Sequence, residues 1–202
     1  MRRALGFIAA AALLLSTGIA SAQDLMTKKQ VFELPSFTTQ SGRALKGVKV
    51  GWESYGTLNA DKSNAVLVAH FFSGNSHAAG KYSAEEKAAG YWDAIIGPGK
   101  AIDTTKFFVL SSDTLVNLNT DPNTTTTGPA SINPETGKPY GMDFPIVTMR
   151  DFVEVQKALV ESLGIKKLAL VTGGSMGALQ AYEWAASYPD MVGKLMPVSA
   201  SG

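Results

Sequence analysis

The chain has 202 residues, 18 Lys and Arg against 17 Asp and Glu, a net charge of +1, two histidines and no cysteine. A balance this close to neutral, with no polybasic run, excludes a nucleic-acid or anionic-membrane surface as the main partner. The absence of cysteine excludes disulfides, thiolate metal sites and a cysteine nucleophile, and His70 and His77 alone are too few imidazoles for an ordinary zinc site.

In chain order, Arg2 and Arg3 open a basic start, Ala4 to Leu15 is almost wholly apolar, and Ala20-Ser21-Ala22 has the small-x-small pattern of a cleavage site. Residues 1–22 therefore read as a secretory signal peptide, removed after Ala22. The apolar run is shorter than the roughly 20 residues a bilayer span requires, so no stable membrane anchor is expected. The protein is expected in the periplasm or outside the cell. Residues 23–202 suit one domain with one core. Loss of two arginines and no acid takes the net charge from +1 to −1.

Val31 to Phe37 and Val48 to Tyr55 mix apolar, aromatic and β-branched residues and predict strands, the second followed by the turn Gly56 to Asn59. Ala65 to Ala69, Phe107 to Leu110 and Leu168 to Val171 are apolar at every position, as strands buried on both faces require. Lys194 to Val198 reads as a further strand, weakened by Pro197. Phe152, Val155, Leu159, Val160 and Leu163 line one face of a helix that Gly164 stops. A second helix runs from about Met176 to Ser187 and closes at Tyr188-Pro189. The alternation predicts an α/β fold, a mostly parallel sheet with helices on both faces. Asp113 to Met142, rich in Thr, Pro, Gly and Asn, predicts a long ordered loop or a disordered insert.

Gly173-Gly174-Ser175-Met176-Gly177 matches G-x-S-x-G and sits between a predicted buried strand and a predicted helix. That setting makes it a nucleophile elbow, with Ser175 as nucleophile. Gly173 and Gly177 relieve the crowding where strand and helix close up. The Met176 N–H, at the helix N-terminus, is one expected oxyanion donor. The second donor of such a site comes from a loop after an earlier strand, here His70-Phe71-Phe72-Ser73-Gly74. A G-x-S-x-G site orders its triad Ser, acid, His along the chain, and both histidines precede Ser175, so His70 and His77 are expected to be structural.

These segments resemble one family, the homoserine O-acetyltransferases and their relatives within the α/β-hydrolase fold. The resemblance rests on Ser54 to Asn59, on Asn64 to Gly80 with Ser76-His77-Ala78-Ala79-Gly80, on Tyr91-Trp92-Asp93 and on Ile96 to Lys100. It continues through Thr127 to Pro134, Gly137 to Gly141, Phe144-Pro145, the elbow, Gln180, Glu183-Trp184-Ala185 and Tyr188-Pro189-Asp190. It implies that Ser175 takes the acyl group and that the backbone N–H groups of Phe72 and Met176 form the oxyanion hole. It also implies acyl transfer in two half-reactions, with a small-molecule acyl donor or ester as partner, acetyl-CoA as co-substrate and no bound cofactor or metal. Homodimers formed through a lid are implied for a full-length member.

The sequence departs from the family where a short Gly-Gly-Cys-containing loop is usual. Leu115 to Asp121 stands there, with no Gly and no Cys. The elbow continues Gly177-Ala178 where Gly-Gly is frequent. Export away from cytoplasmic acetyl-CoA favours water as acceptor, and so an esterase. After Ser175 the one Asp is Asp190, just past a helix end and expected in a turn, and no His follows. The catalytic acid and His, the lid and the late strands are therefore expected to be missing from these 202 residues. The chain reads as the N-terminal portion of an α/β-hydrolase domain, a truncated product or partial sequence of feeble activity. A non-catalytic protein of the same fold and a nonfunctional fragment are the remaining readings.

Overall fold

The computed structural model describes residues 25–200, so the expected leader at 1–22 lies outside the described residues. The strands are β1 (Gln30–Thr38), β2 (Ala44–Tyr55), β3 (Ala65–Ala69), β4 (Ile96–Gly97), β5 (Ile102–Asp103), β6 (Phe108–Ser112), β7 (Ile132–Asn133), β8 (Lys138–Pro139), β9 (Leu170–Gly174) and β10 (Leu195–Val198). The helices are α1 (Met149–Ser162) and α2 (Met176–Ser187), with short helical turns at Gly141–Asp143 and Pro189–Met191.

Six strands form one sheet in the order β1-β2-β6-β3-β9-β10. β1, β2 and β6 pair antiparallel, while β6, β3, β9 and β10 run parallel. Every residue of β3 and of β6 is buried, as expected for strands covered on both faces. Among the described residues β10 pairs on one side only, with β9, and Pro197 is accommodated there. The strand expected at Leu168 to Val171 is β9, which starts at Leu170. The Leu168 amide is instead bonded to the Met191 carbonyl, and Leu168 bridges to Val192 ahead of the main ladder.

The alternation of side chains along β3 divides the core. Ala65 and Leu67 pack with Leu110, Val153, Leu159, Val160 and Trp184 on the helical face. Val66 and Val68 pack with Val109, Ala78, Ala79, Ile96 and Ile102 on the other. The mostly parallel sheet with packed helices is as expected for the α/β-hydrolase fold. Among the described residues α1 and α2 cover one face, and the segment between β3 and β6, with no helix, covers the other. Its glycines allow this close packing. A Cβ on Gly90 would lie 2.3 Å from the Ala79 nitrogen.

Helix α1 buries Phe152, Val155, Leu159 and Val160, each contributing about 1.5–3 kcal/mol of burial. Lys62 donates to the Leu163 carbonyl at 2.7 Å and satisfies part of the helix C-terminus. At the N-terminus the buried Asp151 carboxylate accepts the Thr148 amide at 2.7 Å and the Thr148 hydroxyl at 2.9 Å, and its other oxygen accepts the Gln40 amide at 2.7 Å. One side chain thus caps α1 and ties it to the β1–β2 turn. Asp151→Ala should cost about 2–3 kcal/mol, because two backbone donors lose their acceptor together. Urea unfolding measures this; a change under 0.5 kcal/mol would show the tie to be dispensable.

The stretch from Asp113 to Met142 is ordered by its own hydroxyl and amide chemistry. Thr127 Oγ1 accepts the Lys49 amide at 2.8 Å and Thr126 Oγ1 donates to the Thr114 carbonyl at 2.7 Å. β7 and β8 close a small hairpin through Asn133 and Gly137.

Candidate active site

Ser175 sits between the end of β9 and the start of α2, exposed, at φ 54° and ψ −118°. That backbone is sparsely populated for any residue with a Cβ. It is held because the chain has no other way to pass from strand to helix at this point. A Cβ on Gly173 would lie 2.5 Å from the Ala69 carbonyl oxygen, and one on Gly177 2.1 Å from the same atom. Both positions admit only glycine while β3, β9 and α2 stay this close. The Ser175 amide donates to the Val198 carbonyl at 3.0 Å, and Thr172 Oγ1 to the Met196 carbonyl at 2.7 Å, so β10 braces the turn.

The structure brings Phe72 and Met176 to one pocket of about 190 Å³, completed by Thr114, Val116, Asn117, Leu118, Val147 and Phe152. Among the described residues neither the Phe72 nor the Met176 amide donates to a protein acceptor. Met176 opens α2 next to the exposed Ser175, and a helix N-terminus favours negative charge. The pocket lining, among the described residues, is uncharged.

His70 is wholly buried, with Nδ1 2.7 Å from the Phe71 carbonyl and Nε2 3.1 Å from Asn117 Nδ2. A carbonyl only accepts, so Nδ1 carries the proton and Nε2 accepts from Asn117. Burial pushes its pKa below the usual histidine value, more than the Phe71 carbonyl raises it. His70 is thus a neutral strut with both nitrogens engaged. Its carbonyl accepts from Gln180 Nε2 at 3.2 Å, and Gln180 links through Gln156 to the indole N–H of Trp184. A buried hydrogen-bond chain therefore anchors the start of the Phe72 loop to both helices.

His77 lies on the other face of the sheet. Its Nδ1 donates to Glu53 Oε2 at 3.0 Å and its ring stacks on Tyr82 at 4.3 Å. Glu53 is fully buried and also accepts from Tyr55 at 2.9 Å and Tyr82 at 2.6 Å, with the Lys29 ammonium 3.0 Å away. Lys29 also contacts Ser76 Oγ and lies 3.6 Å from the buried Asp113. Asp113 accepts the amides of Ser76 at 2.6 Å and Thr125 at 2.8 Å. Burial alone would raise the Glu53 carboxyl, but the hydrogen bond from His77, the charge of Lys29 and the bonds from Tyr82 and Lys29 outweigh it and hold the pKa below the ordinary value. This cluster fixes the far end of the 70–80 loop just as His70 fixes its start.

Sequence reasoning passed over Lys29, Glu53 and Asp113, and marked Val116 only as part of the segment Leu115 to Asp121. Glu53 carried a signal, the one acid in β2, set among Gly51, Trp52, Ser54 and Tyr55 at the strand's apolar and aromatic end. Asp190 is exposed in the turn Pro189–Met191. Among the described residues no side chain hydrogen-bonds the Ser175 hydroxyl, and no group of three or more His, Cys, Asp or Glu is arranged to hold a metal ion. No helix among them is long and apolar enough to cross a membrane.

No protein-family model matches the chain. Homoserine O-acetyltransferase from Methanosphaerula palustris is 53% identical over 163 residues, 81% of this chain and 32% of that protein. The crystal structure of esterase E22 superposes with a TM-score of 0.85 at 63% identity, over 88% of this chain and 48% of that one. Homoserine O-acetyltransferase from Bacillus anthracis superposes with a TM-score of 0.85 at 46% identity, over 87% of this chain and 47% of that one. The chain thus spans about a third to a half of the length of the proteins it matches.

Proposed function

Since the chain is an α/β-hydrolase-fold homologue of the homoserine O-acetyltransferases, we propose that the protein forms an acyl-enzyme at Ser175 and passes the acyl group to water, as an exported esterase. The observation that carries this reading is the strained, exposed Ser175 at the N-terminus of α2. The Ser175 Oγ attacks the ester carbonyl carbon, the carbonyl oxygen becomes an oxyanion between the Phe72 and Met176 N–H groups, and the alcohol leaves with a proton. Water then attacks the acyl-serine and releases the acid, regenerating the hydroxyl. The histidine and acid that move the proton follow the nucleophile in this fold, and no histidine follows Ser175 in this sequence. The proposal therefore concerns the polypeptide at the length of its relatives.

Water is favoured over homoserine as acceptor for two reasons. Identity to esterase E22, 63%, exceeds that to either transferase. Among the described residues the pocket also offers no charged side chain to a zwitterionic amino acid. Export rests on the basic-apolar-small pattern of residues 1–22. The decisive experiment compares p-nitrophenyl acetate hydrolysis with homoserine-dependent consumption of acetyl-CoA, on the protein at its natural length. Hydrolysis with no homoserine dependence is expected. Efficient transfer to homoserine would replace this reading with the transferase one, which the 53% identity to the Methanosphaerula enzyme supports.

A further inference from the structure

We propose that Val116 sets the length of acyl chain this site accepts, and that the pocket beside the Phe72 and Met176 amides takes short, uncharged acyl groups. The inference rests on the acyl-Ser175 reading above.

Val116 is a β-branched residue at φ 53°, in the left-handed region that such side chains strongly disfavour. The surroundings hold it there. Its amide donates to the Thr127 carbonyl at 3.0 Å, the next amide, of Asn117, to Thr126 Oγ1 at 3.1 Å, and Asn119 Nδ2 to the Ser73 carbonyl at 2.8 Å. Asn117 in turn engages His70. The strained residue is thus laced to the loop that carries the Phe72 amide, and strain retained against this background marks a position with a task.

The task is visible in what Val116 separates. It lines the inner pocket of about 190 Å³ with Phe72 and Met176. It also lines an outer apolar depression of about 300 Å³, together with Met142, Phe144 and Ile146. Val147 is the one other residue common to both. These two valines form the partition between the spaces. An acyl chain carried on Ser175, next to Met176, enters the inner pocket and stops at that wall. Among the described residues the inner lining has no charged side chain, so a terminal carboxylate on the acyl group would be buried without a partner.

Val116→Gly tests this. Glycine adopts φ 53° without steric cost, so the variant should unfold at the same temperature as the parent or higher, while the partition opens. On the natural-length protein, kcat/KM for p-nitrophenyl octanoate relative to acetate should rise about tenfold or more, the worth of newly accommodated methylenes. Val147→Ala, which leaves the strained backbone untouched, should shift the ratio the same way by a smaller factor. The parent should prefer butyrate to a succinyl ester of the same alcohol. A folded, active Val116→Gly enzyme with an unchanged chain-length profile overturns the assignment, as does a parent that prefers octanoate. If Val116→Gly does not fold, Val147→Ala decides alone. A parent that hydrolyses none of these esters and resists a fluorophosphonate at Ser175 fails differently: the acyl-serine reading itself falls, and this inference with it.

Discussion

Replacing Ser175 with glycine should remove ester hydrolysis by about 10⁴–10⁶-fold and, in the same variant, raise the unfolding temperature by a few degrees. The two effects share one cause. Ser175 is held at φ 54° and ψ −118°, where a Cβ costs about 1–3 kcal/mol and glycine costs little. Part of that strain should return as stability, about 1 kcal/mol, or about 2–4 °C for a chain of this size. Ser175→Ala should lose the activity equally but keep the Cβ and hence the strain, so its unfolding temperature should match the parent. Steady-state kinetics with p-nitrophenyl acetate at natural length, beside thermal unfolding of all three proteins, separates the contributions. An alanine variant that retains turnover would remove Ser175 from the chemistry. A glycine variant no more stable than the alanine one would mean that the turn costs nothing.

Lys29→Ala should be the most damaging single change away from the elbow, about 3–5 kcal/mol by urea unfolding. The ammonium stands 3.0 Å from Glu53 and 3.6 Å from Asp113, both buried, and its removal leaves two carboxylates without their cation. The pH dependence gives a second reading. Glu53 has a folded pKa below its ordinary value of 4.5, so its contribution is present above about pH 4.5 and is lost as pH falls through the lower folded value. Without Lys29 that depression shrinks, and acid destabilisation should begin at higher pH than in the parent. Equal acid profiles for the two proteins would show that the tyrosines and His77 carry Glu53 without the lysine. Because Asp113 also accepts the Ser76 amide, activity should fall together with stability through a loosened Phe72 loop.

The parts of this architecture that sequence made legible are those governed by short-range rules. Ala65 to Ala69 announced a buried strand because an unbroken apolar run of strand length suits a strand covered on both faces, and the period of Phe152, Val155 and Leu159 announced α1. The elbow was legible because its steric demands restrict residue type at Gly173 and Gly177. The covering of the second face was not. Between β3 and β6 the chain packs through close backbone approaches such as that of Gly90, which leave no periodic trace. The same holds for the carboxylate of Asp113, whose amide donors, Ser76 and Thr125, lie 37 and 12 residues away. The strain at Val116 gave no signal because nothing in a valine's surroundings in sequence reveals a positive φ. Pro197 signalled against a strand, and among the described residues it stands in β10, which pairs with β9 alone.

That pairing has a mechanical corollary. The amide of the proposed nucleophile hangs on the Val198 carbonyl, in β10. Among the described residues the pairing of β10 with β9 and the conformation of the Ser175 turn are therefore coupled. Whatever packs against Leu195, Met196 and Val198, which are partly uncovered here, acts as a governor on the reactive turn.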